Sequence, residues 1–309
     1  MKLLVIFIVH AICIPCFSFD VPGKDLPLTL DYYKSTCPTV FDVVKKEMEC
    51  IVKEDPRNAA ILIRLHFHDC FVQGCDGSVL LEETETFQGE KKASPNINSL
   101  KGYKIVDRIK NIIESECPGV VSCADLLTIS ARDATILYIL LVSHVGGPYW
   151  DVPVGRKDSK TAGYEFATSN IPTPEEGLIS IISKFHNQGL SVEDMVALSD
   201  VPSEPQRDMS CEQRRRWQQR DGDGQCDADL FDNSIYHTLM RGEGLLNSDQ
   251  EMYTSMFGIQ TRRIVSKYAE DQVAFFEQFS KSMVKMGNIL NSESFVDGEV
   301  RRSCRFVNT

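Results

Sequence analysis

Positive charge is scarce in this 309-residue chain: 33 lysines and arginines face 44 aspartates and glutamates, for a formal net charge of −11. That balance argues against a nucleic-acid binder or a polybasic membrane surface, and it mildly repels anionic ligands. Beyond the N-terminus no apolar run resembles a membrane span, although Thr135–Val142 is unusually apolar. Strand signals are few and short, and there are no internal repeats. Histidine is sparse as well. The six stand at positions 10, 66, 68, 144, 186 and 237, so imidazole chemistry is confined to those places.

What is present is an ordinary globular composition, 42% hydrophobic and 25% charged, in a chain long enough for one large domain or two lobes around a cleft. Lys2 precedes the apolar run Leu3 to Ile14, followed by Cys16-Phe17-Ser18. This pattern predicts a signal peptide over 1–18, a mature domain over 19–309 and secretion. Of 11 cysteines, Cys13 and Cys16 fall in the signal. The remaining nine are Cys37, Cys50, Cys70, Cys75, Cys117, Cys123, Cys211, Cys226 and Cys304. In an oxidising compartment most should be bridged, and an odd number leaves at least one thiol free or linked between chains.

Apolar periodicity predicts helices over 40–53, 58–70, 103–117, 122–137, 174–188, 191–198, 234–241, 249–257, 262–269 and 271–291. Ser122 is the N-cap expected for the fourth, with Asp125 in its first turn. Pro118-Gly119 stops the third. The polar stretch Pro202–Asp229 has no clear period and is long for a loop.

The densest chemistry lies in Arg64-Leu-His66-Phe67-His68-Asp69-Cys70-Phe-Val72-Gln-Gly74-Cys75-Asp76-Gly-Ser78. Arg64 and His68 are four residues apart, on one helix face. A guanidinium disfavours protonation of a neighbouring imidazole, so a neutral His68 could take a proton while Arg64 stabilises negative charge. A helix with a buried histidine and a surface arginine is the plainer alternative. Asp69, Asp76 and Ser78 add side-chain oxygens, and Val72 and Gly74 add backbone carbonyls, a set suited to Ca²⁺. Cys70 and Cys75 are near enough in sequence to staple that loop. A transition-metal site using His66, His68 and Cys70 is the competing reading of the same residues.

The run from Arg64 to Ser78 resembles the distal signature of the class III secretory plant haem peroxidases. The resemblance continues through Tyr32-Tyr-x-x-x-Cys37-Pro38, Glu90-Lys91 with Asn96, Cys117-Pro-x-x-Val-Ser-Cys123-Ala-Asp125 and Gly146-Gly-Pro148-x-Trp150. It resumes at Gly155-Arg156-x-Asp158, Pro172-x-Pro174, Phe231-Asp-Asn233, Gly244-Leu-Leu-x-Ser-Asp249-Gln and Met286-Gly-Asn288. It implies an all-α fold of two helical lobes sandwiching haem b. By the same resemblance His68 is the distal base, Arg64 the group that stabilises the leaving oxygen, Asn96 the residue that orients His68 with Glu90 behind it, and Phe67 a shield. Small phenolic donors would meet the haem edge near Pro172. Asp69, Val72, Gly74, Asp76 and Ser78 would bind a distal Ca²⁺, and the bridges would be Cys37–Cys117, Cys70–Cys75 and Cys123–Cys304. The substrates implied are H₂O₂ and small phenols, acted on by a monomer with neither nucleic-acid partner nor membrane span.

The resemblance breaks after Val196-Ala-Leu198-Ser199. There the family continues Gly-x-His-Thr and supplies the iron's protein ligand, whereas this chain reads Asp200-Val-Pro-Ser-Glu-Pro. About thirty family residues are missing before Phe231, judged from the usual layout. Asp249 resembles the carboxylate that binds the absent histidine and is left as an orphan. A proximal Ca²⁺ retains only Asp232, since Gly224 and Asp227 stand where the family has Asp and Thr. Met209–Asp229, back-translated with one permitted codon choice and read from the next nucleotide, yields a Cys-Pro and an Asp-x-x-Thr like the family's own. A frame-shifted segment over roughly 201–229 is therefore expected, to be tested by sequencing the transcript. Tyr138–His144 reads as an insert near 138–144. The alternative to a working peroxidase is a calcium-binding pseudo-peroxidase without the proximal ligand; a third reading is a non-haem metal protein using His66 and His68. The chain has no Asn-x-Ser/Thr sequon, so N-glycosylation is not expected.

Overall fold

The computed structural model describes residues 28–85, 87–143, 148–199 and 232–309. The signal peptide, His144, Cys211, Cys226 and the expected frame-shifted segment lie outside them. The described helices are α1 (Val40–Glu54), α2 (Arg57–Cys70), α3 (Tyr103–Glu116), α4 (Cys123–Ser143), α5 (Tyr164–Asn170), α6 (Leu178–Asn187), α7 (Val192–Leu198), α8 (Ser234–Met240), α9 (Asn247–Thr254), α10 (Ile259–Glu270), α11 (Gln272–Gly287) and α12 (Ser292–Asp297). Strand pairing among the described residues is limited to isolated bridges such as Thr29 with Val154 and Asp158 with Glu299. The fold is all-α, as expected.

Amphipathic spacing explains the main packing. Val40, Val44, Met48, Ile51 and Val52 form the buried stripe of α1, and α1 and α2 both pack against α4. Each such side chain contributes about 1.5–3 kcal/mol by leaving water. The second group of helices brings α7 against α11 and α8 against α10. Ser191 and Asp194 make a reciprocal capping box at the start of α7. Asp194 also accepts from Ser282 (2.8 Å) and Lys285 (2.7 Å) of α11, so one carboxylate caps a helix and fixes its neighbour.

Ser122 accepts from the Asp125 N–H at 3.1 Å, the N-cap read from the sequence. Asp125 is buried and takes hydrogen bonds from Tyr33 Oη (2.7 Å) and Arg156 Nη1 (2.7 Å). Arg156 in turn donates to the Gly287 carbonyl at the end of α11. A buried ion pair is stable only when its remaining hydrogen-bonding capacity is met, and here it is. This network joins the N-terminal segment, α4 and α11.

The structure departs from the sequence reading in four helices. α4 does not stop at Leu137: the apolar residues that follow continue it to Ser143, with Tyr138 and Ile139 buried. The insert expected near 138–144 therefore begins as helix. α5 and α12, of seven and six residues, have no expected counterpart, because such short helices carry too little apolar face to show a period. The expected helix over 174–188 begins only at Leu178, with Pro172-Thr173-Pro174 and Glu175 forming a rim ahead of it. No described helix is long and apolar enough to cross a membrane.

Candidate active site and calcium loop

Three disulfides lock the frame: Cys37–Cys117, Cys70–Cys75 and Cys123–Cys304. They are the pairs the resemblance implied, and they fit an oxidising compartment. Cys50 is free and exposed. His66, Cys70 and Cys75 lie together, yet both sulfurs are spent in one bridge and His68 is not in the cluster. The geometry therefore gives no support to a transition-metal site made of His66, His68 and Cys70.

The last two turns of α2 aim Arg64, Phe67 and His68 into one cavity of about 530 Å³. Helical spacing alone puts these residues on one face. His68 is buried, and its Nδ1 lies 2.6 Å from Asn96 Oδ1. Asn96 Nδ2 donates to the Glu90 backbone carbonyl at 2.9 Å, which fixes the amide with its oxygen toward the ring. An oxygen there requires the proton on Nδ1 and leaves the Nε2 lone pair free. The link to Glu90 thus runs through its main chain. Arg64 donates through Nη1 to the Ser99 carbonyl (3.0 Å) and through Nη2 to Ser99 Oγ (2.9 Å). Sequence reasoning missed Ser99, which lies 35 residues from Arg64 with no local signal. Phe67 stacks on Phe71 with ring centroids 4.1 Å apart.

The cavity is also lined by Leu198, Ser199, Leu246, Ser248, Asp249 and Met252, and by Ile171, Pro172, Thr173, Pro174 and Glu175, of which Pro174 and Glu175 are exposed and mark its mouth. Burial pushes the Asp249 carboxyl up to about 7, opposed by a hydrogen bond from the neighbouring Ser248. The volume, the apolar walls and the His68 face fit a flat tetrapyrrole such as the haem implied by resemblance. The Asp249 wall does not fit an iron that needs an imidazole: the cavity's described lining holds no histidine but His68. His186 and His237 are exposed, and residues 200–231 contain no histidine at all.

Following α2, the loop from Phe71 to Gly77 curls back over its end. Gly74 has φ +103°, and a Cβ there would come within 2.6 Å of the Asn291 backbone nitrogen, so a side chain is excluded by conformation and by space. Asp69 Oδ2 accepts from Gly77 N–H at 3.0 Å. Asp76 accepts from Ser78 N–H (3.0 Å), Asn291 Nδ2 (2.7 Å) and Ser294 Oγ (2.9 Å). Asp69 Oδ1 and Ser78 Oγ are buried without hydrogen-bond partners. Burial first, and then the Asp76 charge, drive the Asp69 carboxyl well above its ordinary range. Two buried carboxylates and an orphaned hydroxyl in one loop are what a hard cation would relieve, and the carbonyls of Val72 and Gly74 belong to the same loop. Asp232 instead accepts from Ser234 N–H at 2.8 Å, and the other residues of the implied proximal site lie outside the described residues.

The family model described as Peroxidase matches residues 44–271. Among curated proteins, Peroxidase 11 of Arabidopsis thaliana is 73% identical over 344 residues, covering 99% of each chain. Peroxidase 49 of the same plant is 43% identical (93% of this chain, 92% of the relative), and Peroxidase 4 of Vitis vinifera is 42% identical (98% of each). The alignment to Peroxidase 11 spans 344 positions against 309 residues here, so at least 35 of them hold no residue of this chain. A family match over most of the sequence, with relatives this similar along almost their whole length, places the chain: it belongs to the peroxidase family, in the class III group of plants.

Proposed function

We propose that this chain is a secreted, monomeric haem peroxidase that reduces H₂O₂ and oxidises small phenolic donors. The observation that carries the reading is His68, tautomerically fixed by Asn96 on the cavity face it shares with Arg64. Haem b, when bound, would supply the redox-active iron, held on the His68 face, with no histidine of the described lining to ligate it on the Asp249 side.

The residues' own work concerns protons and position. His68 Nε2 accepts a proton from one peroxide oxygen and returns it to the other, while Asn96 keeps Nδ1 protonated throughout. The Arg64 guanidinium, pre-oriented by two bonds to Ser99, stabilises charge on the departing oxygen. Phe67, backed by the buried Phe71, gives the cavity an apolar surface that limits water. Phenols reach the cavity past Pro172. Asp69, Val72, Gly74, Asp76 and Ser78 would hold a Ca²⁺, which would brace the C-terminal end of α2 and thereby His68. The N-terminal apolar run and the three disulfides support secretion.

The relatives favour this enzyme over the calcium-binding pseudo-peroxidase. Absorption spectroscopy of the purified chain tests it. A Soret band with H₂O₂-dependent oxidation of a phenol is the expected result. Stoichiometric calcium with neither Soret band nor turnover would overturn the reading.

A further inference from the structure

Two adjacent carboxylates follow Pro174, and they are not equivalent. Glu176 is salt-bridged to Lys184 and accepts from Ser180 Oγ at 2.8 Å, so its charge is spent locally. Glu175 is exposed and lines the cavity mouth, with no ion-pair partner among the described residues. Pro172 and Pro174 fix φ on either side of Thr173 and hold this rim in place. Glu175 shares the cavity lining with Ile171 and Pro172, and of the three it is the exposed one. The cavity's cation, Arg64, has two N–H groups committed to Ser99. Asp249 is a second carboxyl in the cavity lining, and the whole chain carries a net charge of −11.

We propose that Glu175 is a specificity-determining residue that admits neutral and cationic phenols and disfavours carboxylate-bearing ones. This rests on the reading of the cavity as the donor site. Two unit charges roughly 7 Å apart at a protein surface, partly screened by salt, change an affinity by about threefold to tenfold. That is the size of discrimination expected.

Three near-isosteric phenols read it: 4-hydroxyphenylacetate, 4-hydroxyphenethyl alcohol and tyramine, which are anionic, neutral and cationic at pH 7. Their dissociation constants are measured by equilibrium dialysis on the purified full chain at low and high ionic strength, and kcat/KM is measured alongside. Glu175→Gln should strengthen the anion about threefold to tenfold, weaken tyramine comparably and leave the alcohol unchanged. The differences should shrink in high salt. Glu277→Gln, on the exposed face of α11, changes the net charge equally and should move none of the three. Binding of all three phenols with ratios unchanged by Glu175→Gln, or tightest binding of the anion to the unmodified chain, overturns the role of Glu175 alone. Binding of none of them overturns the donor-site reading and this proposal with it.

Discussion

Asp249→Asn should stabilise the protein at pH 8 and do almost nothing near pH 4. The carboxyl moves from 3.8 in the unfolded chain to about 7 in the fold, chiefly because burial disfavours its charge. The folded state therefore holds this proton more tightly than the unfolded state. Below pH 4 the acid is neutral in both and costs nothing. Between about pH 4 and 7 the folded protein loses stability as pH rises, and above 7 the loss is constant. Full ionisation corresponds to about 4 kcal/mol, which water in the cavity reduces to roughly 2 kcal/mol. Asparagine keeps the shape and can accept the Ser248 hydrogen bond, so the substitution removes the charge alone. His68 and Glu175 line the same cavity in both proteins, so the comparison isolates the change at Asp249. Reversible urea unfolding of both proteins at pH 4 and pH 8, followed by far-UV circular dichroism, gives the two values. A difference between the proteins that does not grow with pH would refute the desolvation argument. A variant less stable than the parent at pH 8 would show that Asp249 has a cationic partner.

Removing calcium with a chelator should lower stability by about 3 kcal/mol relative to protein held at a hundredfold excess over its dissociation constant, measured by calorimetry. Asp76→Ala should abolish that calcium dependence, and isothermal titration reads it directly. His68→Leu should slow reaction with H₂O₂ by roughly 10²–10⁴-fold in stopped-flow measurements. Asn96→Ala should slow it by about 10- to 100-fold, with a changed pH profile, since it frees the imidazole tautomer rather than removing the base. Opening the Cys37–Cys117 bridge, which spans 80 residues, should cost about 4 kcal/mol by loop entropy, read as a lowered urea midpoint.

Long helices were legible because a buried stripe repeats along them: α1, α2 and α3 are found within a residue of where their periodicity puts them. The seven-residue α5 and six-residue α12 were not, for want of turns over which to repeat. The Arg64–His68 pair and the calcium loop could be read because each is local, lying within 15 consecutive residues. Ser99, Asn291 and Ser294 could not, because they reach Arg64 and Asp76 from 35, 215 and 218 positions away. Glu175 and Glu176 look interchangeable as letters. Only the position of Lys184 neutralises one and leaves the other facing the cavity mouth.

The sequence by itself determined the helical class, the residue types of the His68 face and of the calcium loop, and the lack of any histidine between His186 and His237. Those are matters of composition and short-range spacing, which folding cannot alter. Tertiary structure decided the rest: which nitrogen of His68 is free, which oxygens of Asp69 and Ser78 are stranded, and what surrounds Asp249. Each depends on groups brought together from distant parts of the chain, where burial makes an unmet charge or hydrogen bond costly.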